Sequence, residues 1–263
     1  MHAKMLDSFQ MINNSEPSVP QIHQAFELSK TFFTLLTEEK VKYTKNKDDT
    51  QRGGYLPPYS QRLDPKKQKE NENKETFQII PSSFQKGTSL SYFPTIFQEH
   101  NEDLGRFSKG FLSPFVLPLN EITDTNDYLI LRHPYDDYSD EDNNALLSFV
   151  IQAEIYPRTS DGDWITAPVV DNAILVNIGG MLEAHTKGLL KAANHRVMYM
   201  PEQENKDRYS IGYFVSPAAD VDVSYMPSPV LPTERIDSIP KDRVIKKPSD
   251  YRNYRTEYYK DAY

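Results

Sequence analysis

The sequence predicts a mainly β protein with helices packed outside, a β-sandwich or jelly roll. Three observations carry that reading. Apolar residues in the N-terminal half recur at three- and four-residue steps, the period of helices with one buried face. From Tyr128 the pattern changes to short β-rich runs separated by turns, with strong signals at Asp161-Gly162 and Gly179-Gly180. There is no internal repeat, and the order of helices first, then many short strands, suits a sandwich or jelly roll with helices outside.

The elements follow in order. SFQMINN (Ser8–Asn14) is a short apolar strand. SVPQIHQAFELSKTFFTLLTEEKVKYTK predicts one helix, with Ile22, Ala25, Phe26, Ser29, Phe32, Phe33 and Leu36 on its core stripe. RGGYLPPYSQRLDPKKQKENENKETFQI reads as loop, because Gly53-Gly54 and Pro57-Pro58 break structure and Arg62–Glu75 is highly charged. SYFPTIFQEHNEDLGRFSKGFLSPF returns to helix, with Ile96, Phe97, Leu104, Phe107 and Phe111 on one face and His100 at its boundary. YLILRHP is a strand, ALLSFVIQAEIYP a longer apolar run, and Thr159–Met200 alternates strand and turn. In RYSIGYFVSP, Tyr209, Ile211 and Tyr213 point one way while Arg208, Ser210 and Gly212 point the other. PSDYRNYRTEYYKDAY closes with a helix capped by Ser249 or Asp250.

The totals narrow the function classes. The 263 residues suffice for one domain with a real core. The net charge of -8, with no basic block, argues against nucleic acid as a partner. Tyrosines number 17 but are scattered, so they form no platform for stacking bases. Without cysteine there can be no disulfide, thiolate zinc site, iron–sulfur cluster or cysteine nucleophile. A metal would have to use His, Asp or Glu, which suits divalent iron, manganese or zinc. No apolar run approaches a membrane span and no signal-like core opens the chain. The expectation is a cytoplasmic protein without a membrane partner, with nuclear entry and oligomeric state left open. The glycine pairs form no nucleotide-binding loop, and no nucleophile elbow is present.

One constellation carries chemistry. His195 lies in an apolar setting, and Arg208 and Ser210 follow on the next strand with one parity. An imidazole followed by Arg-x-Ser suits a metal beside a carboxylate ligand. Two stretches, DGDWITAPVVDNAILVNIGGMLEAHTKGLLKAANHRV and RYSIGYF, with the opening strand and helix, resemble the 2-oxoglutarate/Fe(II)-dependent dioxygenases of the isopenicillin-N-synthase-like group. The resemblance covers nearly the whole chain. It implies a double-stranded β-helix (jelly roll) core with helices packed outside, in a single domain over 1–263. A helical and loop flank would occupy 1–127, the jelly-roll core 128–232 and a helical tail 233–263. It implies Fe(II) and 2-oxoglutarate as cofactors, a small organic substrate oxidised at a C–H bond, His195 as the distal iron ligand, and Arg208 and Ser210 as the 2-oxoglutarate clamp.

The sequence departs from that family at the first two metal ligands. The His-x-Asp pair should stand just before ALLSFVIQ, which begins at Ala145. Glu141, 54 residues before His195, occupies the histidine position and Asn143 the aspartate position. Glu141 offers a carboxylate; Asn143 offers only a neutral amide oxygen. The neighbouring strand ends LRHP, and the loop YDDYSDEDNN is short for the family. Three readings stay open: a changed ligand set using Glu141 or Asp142 with His195, and His133 as a further candidate; a non-catalytic binding or scaffolding pseudoenzyme; or a sequence lacking coding segments. His185 is expected to be exposed, away from the site.

Overall fold

The structure, a computed structural model, describes residues 8–12, 15, 17–44, 53–60, 73–79, 93–110, 146–151, 154–157, 170–192, 195–198, 207–215, 222–224, 231–237, 239 and 244–258. Helix α1 (Val19–Phe33) opens with Ser18 in an extended conformation and a proline in its first turn. The Gln21 side-chain oxygen accepts from the Ser18 N–H at 2.6 Å, meeting a donor that the helix start leaves over. The expected single helix stops here: α2 (Thr37–Lys40) and a 3₁₀ turn (Val41–Tyr43) follow as separate pieces. Leu36 adopts the extended backbone of an N-cap between α1 and α2, so it leaves the apolar stripe and stands 71% exposed. Leu28 takes a buried place that the sequence reading did not assign to it.

The second helical stretch is also broken, at His100, into α3 (Thr95–Glu99) and α4 (Asn101–Gly110). Phe97, Leu104 and Phe107 are buried as expected, and His100 is the boundary residue. Gln24 of α1 lies 3.2 Å from His100 Nδ1 and donates to Asp103 Oδ2 at 3.0 Å, joining α1 to α4. The Gln24 hydrogen bond is the main cause that holds the Asp103 carboxyl below the usual aspartate range.

Three antiparallel sheets make up the described β structure. Strand β1 (Ser8–Met11) pairs with β6 (Ile174–Asn177). β5 (Glu154–Pro157) pairs with β7 (His195–Met198). The largest sheet has the order β2 (Gly54–Leu56), β3 (Glu75–Ile79), β4 (Leu146–Ile151), β8 (Tyr209–Phe214). β2 and β3 correct the expectation of a continuous loop: GYL and ETFQI pair directly, with Tyr55 opposite Phe77. The apolar run ALLSFVIQAEIYP is split between β4 and β5, which belong to different ladders. YLILRHP and Phe111 lie outside the described residues.

One face of the large sheet makes the main core. Tyr55, Phe77 and Ile79 are fully buried there with Phe32, Phe33, Phe93, Phe97, Leu104 and Phe107, and Tyr209, Ile211 and Tyr213 pack against them. A buried ion pair lies at its margin. Lys40 Nζ donates to Glu75 Oε2 at 2.6 Å and to the Phe33 carbonyl at 3.1 Å, and the Tyr55 hydroxyl donates to the same Glu75 oxygen at 2.7 Å. Burial, then the hydrogen bond and charge of Glu75, push the Tyr55 hydroxyl well above the ordinary tyrosine value. The neutral phenol is therefore the form the fold favours. Its stabilisation is complete below about pH 10 and is lost as pH rises above that reference value. Tyr55→Phe is expected to cost about 1 kcal/mol at pH 7 and to flatten the alkaline limb of a urea-unfolding series. An alkaline limb as steep as the unmodified protein's would count against this network.

A second, smaller core forms around α5 (Gly180–His185), a helix where the sequence had suggested only a turn. Ala184 packs with Val223, Ile239 and Ile245, and Tyr251 and Tyr254 of α6 (Pro248–Tyr258) close over them. His185 is buried, not exposed as expected: its Nδ1 lies 3.0 Å from the Val223 carbonyl, which makes Nδ1–H the donor. The segment around Ile236 is fastened to the turn after α5 by the Ile236 N–H donating to the Lys187 carbonyl at 2.9 Å. Gly188 permits this approach. It has φ +84°, and a Cβ there would stand 2.5 Å from the Asp237 nitrogen.

Helix α6 begins at Pro248, one residue before the expected caps. Asp250 works from inside the first turn, accepting from the Lys246 and Lys247 N–H groups at 2.9 Å each. Those two bonds lower its pKa. The contribution is present above the ordinary aspartate value and lost as pH falls through the depressed one. Asp250→Asn should therefore lower the melting temperature at pH 7 and shrink the loss seen between pH 7 and pH 3. Equal acid-induced losses in both proteins would contradict this. No helix among the described residues is long and apolar enough to cross a membrane.

Candidate functional site

Strand β8 organises the site because alternation gives its two faces different tasks. Tyr209, Ile211 and Tyr213 face the helices. Ser210 and Gly212 take the opposite face, and Arg208, the residue just before the strand, continues that parity. Arg208 and Ser210 are both partly buried. Alternation therefore puts these two positions on the side of the strand away from the helical core.

The register extends this face across the sheet. Position 150 of β4 pairs with Ser210 on one side and Thr76 of β3 on the other. Position 148 likewise joins Gly212 to Gln78, and Gly54 of β2 completes that row. Thr76 is 4% exposed, and neither its hydroxyl nor the Gln78 amide makes a hydrogen bond among the described residues. Thr76 and Gln78 went unremarked in the sequence, although the signal was there. In KETFQI, Phe77 and Ile79 alternate with Thr76 and Gln78, the pattern of a strand with one apolar face.

His195 opens β7, opposite Pro157 of β5, and its side chain is exposed. It belongs to a different ladder from Arg208 and Ser210. Glu141, Asn143, Asp142 and His133 all lie outside the described residues. Among the described residues no three His, Asp or Glu side chains gather as a metal site.

The two groups that the sequence implies differ in how well these residues suit them. A dicarboxylate fits. Arg208 supplies a planar two-donor fork, and Ser210, one step along the same face, supplies a hydroxyl. Iron fits poorly. His195 with Glu141 and Asn143 would make one imidazole, one carboxylate and one neutral amide, not the two-histidine, one-carboxylate set that divalent iron favours.

Residues 125–217 match the model of the 2OG-Fe(II) oxygenase superfamily. A UPF0676 protein of Schizosaccharomyces pombe is 24% identical over 249 residues, covering 82% of this chain and 76% of its own length. A bi-functional coumaroyl CoA and feruloyl CoA ortho-hydroxylase of Ipomoea batatas is 24% identical over 280 residues, covering 97% of this chain and 73% of its own. A full-length Neurospora crassa protein crystallised with alpha-KG (2-oxoglutarate) superposes with a TM-score of 0.71 at 15% identity, over 94% of this chain and 86% of that one. At that identity the last similarity shows a shared fold. Over residues 125–217 the chain thus resembles the 2OG-Fe(II) oxygenase superfamily, whose members use Fe(II) and 2-oxoglutarate.

Proposed function

We propose that this chain binds 2-oxoglutarate in a jelly-roll core, with Arg208 and Ser210 holding the far carboxylate, and that it holds iron weakly. The core would span 128–232, between the flank 1–127 and the tail 233–263, in one domain. The observation that carries the reading is the shared face of Arg208 and Ser210 on the side of β8 turned from the helices. A guanidinium and a hydroxyl there can pair with a carboxylate and orient it without help from a metal. The near end of 2-oxoglutarate has no such partner when the iron donors are short, so affinity should be low.

A second reading keeps the chain among active oxidoreductases acting on a small organic substrate. The family-model match favours it, because residues 125–217 include positions 141, 143, 195, 208 and 210. Anaerobic calorimetric titration with Fe(II) separates the two. Weak binding is expected for the unmodified chain. Glu141→His with Asn143→Asp should tighten it by about tenfold or more, since even outer-shell partners of a metal are worth 10–100-fold. Tight one-to-one binding by the unmodified chain would show that other donors have been recruited, and the second reading would stand.

A further inference from the structure

Two hydrogen-bond acceptors at the start of α4 aim at a single point. The His100 carbonyl accepts from the Leu104 N–H at 3.0 Å, which closes the turn that carries His100 and Asp103. Their side chains are three residues apart and so lie on one side of the helix. The Gln24 side-chain nitrogen, reaching over from α1, is 3.2 Å from His100 Nδ1 and 3.0 Å from Asp103 Oδ2. An amide nitrogen only donates, so Nδ1 is the bare, accepting nitrogen of its ring. The imidazole lone pair and a carboxylate lone pair therefore converge on one electropositive group. Arg106 donates to the other Asp103 oxygen, Oδ1, and so turns Oδ2 toward that group.

The spacing is that of a metal-ligand set. His100 Nδ1 and Asp103 Oδ2 are 3.6 Å apart, so with the Gln24 nitrogen they form a triangle with edges of 3.6, 3.2 and 3.0 Å. Ligand atoms about 2.1 Å from a tetrahedral zinc stand about 3.4 Å from one another. Turning the Gln24 amide over puts Oε1 where the nitrogen now lies, which changes the third corner from a donor into a ligand. The His100 and Asp103 side chains are 38% and 37% exposed, so water can reach the triangle and supply a fourth ligand.

We infer that Gln24, His100 and Asp103 form a three-donor site for a divalent transition-metal ion of the zinc class. One imidazole nitrogen with two oxygens suits zinc, whereas calcium and magnesium require a shell built almost wholly of oxygens. Arg106 takes the place of an outer partner that orients the ligating carboxylate. Its positive charge and the neutral Gln24 amide keep the affinity moderate, so the ion exchanges rather than staying for the life of the protein. The site shares no residue with His195, Arg208 and Ser210, and it does not depend on the function proposed for them. Its consequence is mechanical. Gln24 and His100 are 76 residues apart in the chain, and an ion held by both fastens α1 to α4. Helix α1 in turn backs the large sheet, with its Phe33 ring centroid 6.4 Å from that of Tyr209 in β8.

The test titrates the full chain with Zn(II) by calorimetry and follows thermal unfolding with and without the ion. Both are done in a His195→Ala background, which removes the imidazole of the proposed iron site. The expected result is one zinc bound and a raised melting temperature. His100→Ala should weaken binding at least about tenfold. Gln24→Glu supplies a readout that a merely structural role would not move, because its effect changes sign with the ion. Without zinc, a second carboxylate beside Asp103 should lower the melting temperature. With zinc, the same group is a charged ligand, so binding should tighten about tenfold and the melting temperature should recover. Zinc affinity that His100→Ala leaves within about twofold would overturn the inference. So would a Gln24→Glu variant that binds zinc no more tightly, or a melting temperature that millimolar zinc does not raise.

Discussion

Replacing Arg208 with alanine is expected to abolish measurable 2-oxoglutarate binding. In the proposed reading the far carboxylate is held by Arg208 and Ser210, which share the face of β8 turned from the core. A charge-assisted hydrogen-bonded contact is worth about 1.5–3 kcal/mol, so its loss weakens binding by roughly 10- to 150-fold. Millimolar affinity needs only about 4 kcal/mol, and the starting affinity is already low when the keto-acid end lacks a strong metal partner. Titration calorimetry on both proteins decides it. Ser210→Ala should have a smaller effect in the same direction, since a hydroxyl contributes one bond without a charge. Neither substitution touches the helix-facing residues, so both variants should unfold at nearly the urea concentration of the unmodified chain. Equal 2-oxoglutarate affinity in unmodified and Arg208→Ala proteins would remove the foundation of the proposed function.

Phe32→Ala should be the most destabilising single change of those considered, at about 3–5 kcal/mol. The Phe32 ring is 0% exposed, and its centroid lies 4.8 Å from Phe77, 5.2 Å from Phe33, 5.4 Å from Phe97 and 5.8 Å from Tyr55. These neighbours come from α1, α3, β2 and β3, so they cannot all move together to fill the space. The cost is both lost burial and a cavity that only partly collapses. Against a typical domain stability of about 5–15 kcal/mol, this is a large fraction. A urea-unfolding midpoint shift equivalent to less than about 1 kcal/mol would mean that the core repacks around the gap.

The strand register explains which parts of this molecule could be read in advance. β8 was legible because RYSIGYF alternates from Arg208 to Tyr213 and carries Arg208 and Ser210 at one parity. The helical face of α1 was legible as far as Phe33. Beyond it, Leu36 matches the helical period but sits on an extended residue, and periodicity cannot see a backbone turn. β2 and β3 were hidden by composition. GYL begins with the second of two glycines and precedes two prolines, and ETFQI opens at the end of a charged run, so local signals favoured loop. Pairing between distant segments, Tyr55 with Phe77, overrode them. The buried pair of Lys40 and Glu75 was equally invisible. Both residues look like solvated charges in sequence, and only the meeting of α2 with β3 makes them partners. His185 failed for the same reason, because its partner is the Val223 carbonyl 38 residues away.

The two-sidedness of the large sheet bears on how such a protein can persist through change. The aromatic residues that hold the helices and the polar residues of the opposite face are neighbours along the same strands, yet they answer to different pressures. A substitution at an even-numbered position of β8 leaves the rings around Phe32 untouched. Architecture of this kind can outlive the chemistry it once served. It gives a lineage a folded, ligand-accepting shell in which a new specificity can be tried without rebuilding the scaffold.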